Sequence, residues 1–339
     1  FKFVSYARDD RVELGRNPDY WGTKPAWDKV TLRFIPNPAT RLAALLSGDV
    51  QAIENVPTPD LPKVRNDPKL SFFSKISHRV IYLYFDVKRD KSPFVTTKDG
   101  QPMDKNPLKD ARVRIAISTA INRQGIKDRL MEGLSEPTNN LVPPTLFGHN
   151  PALKTLKYDP EAAKKMLADA GYPNGFGLTL HTPNNRYVND EKIAQTIAQN
   201  LTRIGINTKV EGMPMATYSS KAIKHEWSFG LVGWGAQTGE VSSPLRALVA
   251  CEDSKKGFGT TNWGEYCNPK MDAVLEKALA TVDDNERSKL LQEATAIVVL
   301  DGGIIPVHHQ VTTWATQKGI TYVPRTDERT YAHLFKPAQ

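Results

Sequence analysis

Short apolar runs and amphipathic segments alternate along the whole chain. The runs 3-FVSY-6, 29-KVTLRFI-35, 71-SFFSKI-76 and 79-RVIYLYFDV-87 have the length and β-branched or aromatic content of strands. Between residues 110 and 133 apolar residues recur at spacings of three and four, which predicts helix. A chain that mixes both periods in this way is predicted to belong to the α/β class.

Two helices can be placed from their boundary residues alone. Each begins with a capping side chain followed by proline and ends at a glycine, and these residues are Asn37, Pro38 and Gly48 for the first and Asp159, Pro160 and Gly171 for the second. The capping side chain accepts a hydrogen bond from a backbone N–H of the first turn that has no partner within the helix. Proline is compatible with the first turn, and glycine readily adopts the left-handed backbone conformation that ends a helix.

The clearest larger unit is a predicted βαβ at residues 176–213, with strands at 176–182 and 206–213 around a helix at 191–205. Such a unit places two parallel strands side by side. Later predictions are listed by range: a helix near 215–224, a strand at 227–233, helices near 269–280 and 284–300, and a strand at 303–310.

Two loops follow strands of this predicted sheet, 183-PNNRYVND-190 and 233-GWGAQTGE-240. In open parallel sheets ligands bind outside the carboxyl ends of the strands. We therefore expect the two loops to be neighbours and to line a binding site.

The second loop combines exposed backbone with an indole and one acid. Gly233, Gly235 and Gly239 have the wrong spacing for a dinucleotide loop. One interpretation is that this backbone binds the amide groups of a ligand and that Trp234 provides an apolar contact surface. The alternative is an ordinary turn that carries a core tryptophan.

Arg186 in the first loop has a guanidinium suited to bidentate binding of a carboxylate. If Glu240 opposed it, the site would suit a zwitterion such as an amino acid or short peptide. The alternative is that Arg186 and Glu240 are two solvated surface charges.

The residues do not assemble into a known catalytic or metal site. Phe229 stands where an HExxH motif starting at His225 would need its second histidine, and no G-x-S-x-G is present. The neighbours His308 and His309 would point to opposite faces of a strand. We therefore expect no enzyme, no cofactor and no metal.

Composition limits the remaining classes. Lys plus Arg is 45 and Asp plus Glu is 37, a net charge of +8, but the cations are interleaved with acids, which argues against nucleic-acid binding. Cys251 and Cys267 fit one loop-closing disulfide in an oxidising compartment, and two free thiols are the alternative. No apolar run approaches the length of a membrane span.

The chain resembles the large solute-binding proteins of peptide-type ABC importers, a family with dipeptide-, oligopeptide-, nickel- and glutathione-binding members. The matching segments cover nearly the whole chain, and they are 14-LGRNPDYWG-22, 40-TRLAALLSGDVQAI-53, 107-PLKDARVRIAISTAINRQGI-126, 140-NLVPPTLFG-148, 158-YDPEAAKKMLADAGY-172, 199-QNLTRIGI-206, 233-GWGAQTGE-240 and 266-YCNPKMDAVLEKA-278.

The resemblance implies a two-lobed periplasmic-binding-protein architecture, type II-like and of cluster C, with a hinge and a ligand cleft between the lobes. Residues 1–87 and 311–339 resemble parts of the first lobe, and residues 88–310 resemble the second. Chains of the family carry a large portion ahead of the segment at 14–21. We therefore expect this chain to be N-terminally truncated and its first lobe incomplete, which fits its start inside a strand-like run.

The resemblance also implies site residues. Arg186, with Tyr187 beside it, falls where the dipeptide binder places the arginine that pairs with the peptide carboxylate. Gly233, Trp234 and Gly235 fall where its strand-end loop meets the ligand. Gln237 replaces the aspartate that takes the ligand's ammonium, and Glu240 lies at a second acidic position. Either Glu240 takes over the ammonium, or the ligand is not a zwitterionic dipeptide.

The expected function is capture of a peptide or peptide-like solute and its delivery to an ABC permease, by a monomer that is periplasmic or lipid-anchored outside the cytoplasm. The alternatives are a binder of a metal chelate, opine or oligosaccharide, and an α/β hydrolytic enzyme.

Overall fold

The computed structural model describes residues 1–338, which form two compact units. Unit 1 comprises Phe1–Ser77 and the chain from Val311 onward, and unit 2 comprises His78–Gln310. The predicted α/β class and the build from two parts are confirmed. The lobe boundaries at 87/88 and 310/311, the hinge and the cleft stay predictions.

Unit 1 consists mainly of short strands. Its elements are β1 (Lys2–Ala7), β2 (Arg11–Gly15), β3 (Lys29–Arg33), α1 (Pro38–Ser47), β4 (Ala52–Glu54), a 3₁₀ turn (Thr58–Asp60), α2 (Leu61–Asn66) and the start of β5 (Leu70–Phe85). The strands β1, β2 and β3 form an antiparallel sheet in that order.

Unit 2 alternates helices and strands. Its elements are the rest of β5, β6 (Val95–Thr96), a 3₁₀ turn (Pro107–Lys109), α3 (Ala111–Thr119), α4 (Arg123–Arg129), β7 (Ser135–Pro137), α5 (Pro160–Asp169), β8 (Phe176–Pro183), α6 (Asp190–Arg203), β9 (Ile206–Met213), α7 (Met215–Ala222), β10 (Phe229–Gly235), α8 (Ser242–Pro244), a π-helical turn (Leu245–Val249), α9 (Pro269–Ala280), α10 (Asp284–Leu300) and the first part of β11 (Ile305–Gln317).

The chain returns to unit 1 along β11. That strand pairs antiparallel with β4, with Trp314 opposite Glu54. Unit 1 then closes with β12 (Ile320–Tyr322), a 3₁₀ turn (Ala332–Leu334) and β13 (Phe335–Pro337), and β12 and β13 pair with each other.

Both helices that were placed from their boundary residues are confirmed. The side chain of Asn37 accepts from the N–H of Thr40, and Gly48 closes α1 in the left-handed conformation. Asp159 likewise accepts from Ala162 at the start of α5, and Gly171 has a φ of 97°. These signals act over three or four residues, so the sequence alone is sufficient to locate them.

The predicted boundaries of three segments were wrong. The two strands expected at 71–76 and 79–87 are one strand, β5, because Ser77 and His78 are buried in the sheet and form no turn. The helical segment 110–133 is divided into α3 and α4, because the Asn122 side chain caps α4 through the N–H of Gly125. The strand expected at 303–310 continues to Gln317.

The predicted βαβ unit is confirmed. β8 and β9 pair in parallel from Phe176 opposite Ile206 to Pro183 opposite Met213, with α6 as the crossover. The other edge of β8 carries β6 at Leu178 and β10 at His181, and β10 runs parallel to β8 there. β10 also pairs antiparallel with β5 along its whole length.

Aromatic rings fill the core of unit 2 between the sheet and its helices. Phe85 and Phe229, on paired strands, are fully buried and stack with ring centroids 5.1 Å apart. Tyr84 and Tyr218 are also buried, and their hydroxyls lie 3.1 Å apart. This packing fixes the position of β10, whose carboxyl end leads into the second predicted loop.

The disulfide between Cys251 and Cys267 is confirmed. It closes a segment 16 residues apart in sequence, in which Asn262 holds the turn by donating to the carbonyls of Ala250 and Tyr266. Across residues 1–338, the structure contains no helix with both the length and the apolar character that a membrane crossing requires.

Candidate functional site

The two loops meet at one edge of the sheet of unit 2. β8 and β10 are parallel neighbours where His181 lies opposite Gly230, so their carboxyl ends point the same way. Beyond that pair, the hydroxyl of Tyr187 in the first loop donates to the carbonyl of Gly233 at 3.0 Å. The sequence-based expectation that these loops are neighbours agrees with this geometry.

Asp190 fixes the backbone of the first loop. Its Oδ2 accepts from the N–H groups of Arg186 and Tyr187, each at 3.0 Å, and its Oδ1 accepts from the N–H of Glu191 at 3.0 Å. Burial raises the pKa of the Asp190 carboxyl, and the three backbone donors oppose that rise. The carboxylate therefore acts as an internal anchor that lies 4% exposed at the start of α6.

The first half of the same loop is attached to the end of β9 and the start of α7. The N–H of Asn184 donates to the carbonyl of Met213, and the Oδ1 of Asn185 accepts from the N–H of Met215. Asn189, at the end of the loop, adopts a left-handed φ of 56°, which asparagine tolerates better than most residues. The loop is thus held in one conformation before any ligand arrives.

Arg186 and Tyr187 have different surroundings. The Arg186 side chain is exposed, and its Cζ lies 5.4 Å from the centroid of the Tyr187 ring. Tyr187 is buried, with Arg79 on its ring at 5.5 Å, and burial raises the pKa of its hydroxyl. The ring therefore supports a guanidinium that faces solvent.

The glycines of β10 are explained by packing. A Cβ on Gly233 would lie 2.7 Å from Ile81 Cδ1 and 2.9 Å from Tyr187 Cε1. A Cβ on Gly235 would lie 2.8 Å from His78 Nε2. Both positions are glycine because neighbouring side chains occupy the space that a Cβ would need. The carbonyl of Gly233 accepts the hydrogen bond from the hydroxyl of Tyr187.

The reading of the second loop as a ligand-binding backbone stays a prediction, and three of its N–H groups are already used within the protein. The N–H of Ala236 donates to His78 O at 3.2 Å, that of Gln237 to Gly235 O at 2.9 Å, and that of Gly239 to Ala236 O at 3.0 Å. These three donors hold the turn itself. A ligand would meet side chains here more than free N–H groups.

The side chains of Trp234 and Gln237 in the second loop are accessible. Trp234 is half-buried, and its indole N–H points to the Ser243 hydroxyl at 3.3 Å, so the ring has a fixed orientation. Gln237 is exposed at the tip of the turn. Together they offer one apolar surface and one neutral amide.

Glu240 has a partner within the protein that the sequence did not indicate. Its Oε1 accepts from Arg287 Nη2 at 2.6 Å and also from the hydroxyl of Ser242. The side chains of Arg287 and Glu240 are 18% and 23% exposed. The structure therefore pairs Glu240 with Arg287 at the start of α10, a contact that neither sequence-based reading of Glu240 included.

The backbone on both sides of Glu240 is also fixed. The N–H of Phe147 donates to Gly239 O at 3.1 Å, and the N–H of Val241 donates to Phe147 O at 3.1 Å. Phe147 belongs to the proline-containing segment at 141–150, which has no regular helix or strand.

Sequence reasoning missed Asp190 and Arg287. Asp190 could have been found, because an acid at the first position of a helix commonly accepts from nearby N–H groups. Arg287 lies 47 positions from Glu240, and no spacing rule links the two.

The buried histidines do not form a metal site. His308 and His309 are 1% exposed, and burial lowers the pKa of His308 to about 4 and that of His309 to about 3. Among residues 1–338 no group of three or more histidine, cysteine, aspartate or glutamate side chains is arranged to hold a metal ion.

Comparison with known proteins gives a consistent set of relatives. The chain is 28% identical over 317 residues to heme-binding protein A of Haemophilus influenzae, which covers 92% of this chain and 54% of that protein. It is 26% identical over 306 residues to the dipeptide-binding protein of Escherichia coli, covering 88% of this chain and 53% of that one. The chain thus spans about half the length of the curated relatives it matches.

The fold also matches a solved structure. The periplasmic binding protein DppA of Helicobacter pylori, an ABC-transporter-associated protein in complex with the peptide STSA, superposes with a TM-score of 0.81 at 26% identity. The match covers all of this chain and 62% of that one. Over residues 1–256 the sequence matches the family model described as bacterial extracellular solute-binding proteins, family 5 Middle. The chain belongs to this family of solute-binding proteins, as its sequence motifs predicted.

Proposed function

We propose that the protein is the extracytoplasmic solute-binding component of an ABC importer, and that it captures a peptide or peptide-like solute and delivers it to the permease. Membership of the solute-binding family supports this, together with relatives named for binding dipeptides, di/tripeptides and glutathione. The work involves binding and release, with no covalent step.

The observation that carries the proposal is the exposed guanidinium of Arg186 on a fixed support. Asp190 holds its backbone N–H, and the Tyr187 ring lies beneath its side chain. A planar guanidinium matches the two oxygens of a carboxylate, which every free peptide carries at one end. Its place outside the ends of parallel strands is where ligands bind in open α/β sheets.

Tyr187, Gly233 and Gly235 serve the site in a different way from Arg186. Tyr187 joins the two loops and supports Arg186, while Gly233 allows that close approach and Gly235 leaves room for His78. Trp234 supplies the apolar surface, and Gln237 supplies a neutral donor and acceptor. The solute therefore meets a prepared surface, which lowers the entropy cost of binding.

We place the protein in the periplasm, or tethered outside the cytoplasm by a lipid, as a monomer that docks on membrane permease subunits. The disulfide between Cys251 and Cys267 supports an oxidising compartment. Any conformational change on binding would follow from the difference in the solute's affinity for the two conformations.

The test is to identify the solute and then to remove Arg186. Mass spectrometry of the molecule that is released on denaturation of the purified protein identifies the ligand, and calorimetry gives its affinity. We expect Arg186→Ala to weaken a carboxylate ligand by about 2–5 kcal/mol if the pair is buried in the complex. Arg203→Ala, at the far end of α6, is the matched control.

An unchanged affinity in Arg186→Ala would remove this residue from the site. Product formation from peptides or esters would instead favour the alternative of a hydrolytic enzyme. Saturable heat with no product supports a binding protein.

A non-peptide solute is the second candidate. The neutral Gln237 and the occupied Glu240 favour it, since a zwitterionic peptide needs an acceptor for its ammonium. One relative is named as a heme-binding protein. A metal chelate or opine with a carboxylate would still use Arg186, whereas an uncharged oligosaccharide would not.

A further inference from the structure

The carboxylate of Glu240 is already neutralised inside unit 2. Among residues 233–240 it is the only acid in the sequence. Arg287 binds it at 2.6 Å, the Ser242 hydroxyl also donates to it, and both members of the ion pair are largely buried. A partly buried pair of this kind resists separation, because removing either charge leaves the other without compensation.

Glu240 also cannot easily turn to meet a solute. Phe147 binds the backbone on both sides of it, at Gly239 O and at the N–H of Val241. Arg287 in turn donates to the carbonyl of Ala278 at 2.8 Å, which fixes the guanidinium. The pair is therefore part of the scaffold that supports the loop.

Arg186 differs from Glu240 in this respect. In the described part of the chain, the contacts of Arg186 are its backbone N–H to Asp190 and its guanidinium over Tyr187, and no carboxylate oxygen pairs with that guanidinium. The acid nearest to it in sequence, Asp190, is buried and uses both oxygens for backbone N–H groups. The two loops thus present one cation without a counter-charge and no carboxylate free to bind an ammonium.

We propose that the two loops hold the carboxylate end of a solute whose amino end is acylated or absent, and that Glu240 is a positioning residue with no contact to the solute. This inference rests on the proposed function and specifies its solute class. The expected ligands are N-acylated peptides and other carboxylates without a free ammonium. The occupied Glu240 removes the reason to prefer a zwitterion, and the exposed Gln237 suits a neutral amide such as an acyl group.

The test compares two ligands that differ in one group. The protein, purified as the cell makes it and freed of bound ligand, is titrated with a dipeptide and with the same dipeptide N-acetylated. We expect the acetylated form to bind as tightly as the free form or up to tenfold more tightly. A free dipeptide that binds more than twofold better than its acetylated form would overturn the inference.

Two variants test the role of Glu240 directly. In Glu240→Gln the ratio of the two dissociation constants should stay within twofold of the parent ratio. In Arg287→Gln the backbone of Glu240 is still held by Phe147, so the ratio should also stay within twofold of the parent ratio. A fall of tenfold or more for the free dipeptide in Glu240→Gln would show that Glu240 binds the ammonium and would overturn the inference.

Folding is checked by circular dichroism and thermal melting, since both variants alter an ion pair. If Arg287→Gln does not fold, Glu240→Gln and the ligand pair still decide the outcome. A protein that binds only free dipeptides overturns this inference and leaves the proposed function standing. A protein that binds neither ligand, nor any carboxylate from a solute library, overturns both.

Discussion

The hydroxyl of Tyr187 donates to the carbonyl of Gly233 at 3.0 Å, so one hydrogen bond joins the loop after β8 to the end of β10. Tyr187→Phe removes this bond and leaves the ring in place. The Gly233 carbonyl then loses its partner, and we expect a loss of about 1–2 kcal/mol in the free energy of unfolding, measured by urea denaturation. Tyr20→Phe, on an exposed ring of unit 1, is the control and should change stability by less than about 0.5 kcal/mol.

Gly233→Ala tests whether packing requires the glycine. The added methyl would meet Ile81 and Tyr187 at less than 3 Å, so the ring beneath Arg186 must move. We expect a destabilisation of about 1–3 kcal/mol in chemical denaturation. Gly15→Ala is the matched strand control, because its nearest neighbour, Val4 Cγ2, lies at an ordinary 3.4 Å. Equal, small effects at both glycines would contradict the packing argument.

Reduction of the disulfide should lower stability without unfolding the protein completely. Cys251 and Cys267 close a loop of 16 positions, for which chain entropy predicts about 3 kcal/mol at 25 °C. The double variant Cys251→Ser and Cys267→Ser should therefore show a lower denaturation midpoint than the oxidised parent and the same midpoint with and without reductant. A parent that is insensitive to reductant would contradict this.

Unit 2 should lose stability in mild acid. Burial lowers the pKa of His181 and His308 to about 4 and that of His309, where the charges of His308 and His149 add to burial, to about 3. In the unfolded chain these groups titrate near 6.5, so between about pH 6.5 and 4 the unfolded state binds more protons. The free energy of unfolding is therefore unaffected by the titration of these histidines above pH 6.5. It decreases as the pH falls below 6.5, by at most about 1.4 kcal/mol per pH unit for each histidine.

Urea denaturation from pH 7 to pH 4 measures this slope, and NMR titration of the histidine ring protons assigns it to residues. Ring protons of His308 and His309 that titrate near 6.5 in the folded protein would contradict the prediction.

The helix starts that were predicted correctly depend on contacts between residues close together in the sequence. Asn37 and Asp159 cap helices through N–H groups three residues away, so neither depends on the rest of the chain. The division of the helical segment at Asn122 combines a local cap, through the N–H of Gly125, with a distant contact, in which the N–H of Asn122 donates to the side chain of Asn200. Periodicity alone could not show that break.

The candidate site stays a prediction, although the two loops expected to line it are neighbours in the structure. The strand-end rule brought the loops of Tyr187 and Gly233 together, because it depends only on strand order and direction. The ion pair of Glu240 could not be predicted, since Arg287 reaches it from a helix 47 residues later in the sequence. Residue types alone show that Glu240 can take a positively charged partner, but they do not show which arginine or lysine is close to it. Only the folded structure identifies Arg287 as that partner.

The tight packing around the glycines of β10 has a consequence for how binding preference can diversify among descendants of this protein. At Gly233 and Gly235, any side chain would displace Ile81, Tyr187 or His78, so selection for a new solute has little freedom along the strand. The tip of the turn, at Gln237 and Thr238, is exposed and can accept substitutions at low cost in stability. New binding specificities should therefore arise by amino-acid substitution at these two positions, while the sequence of β10 changes slowly.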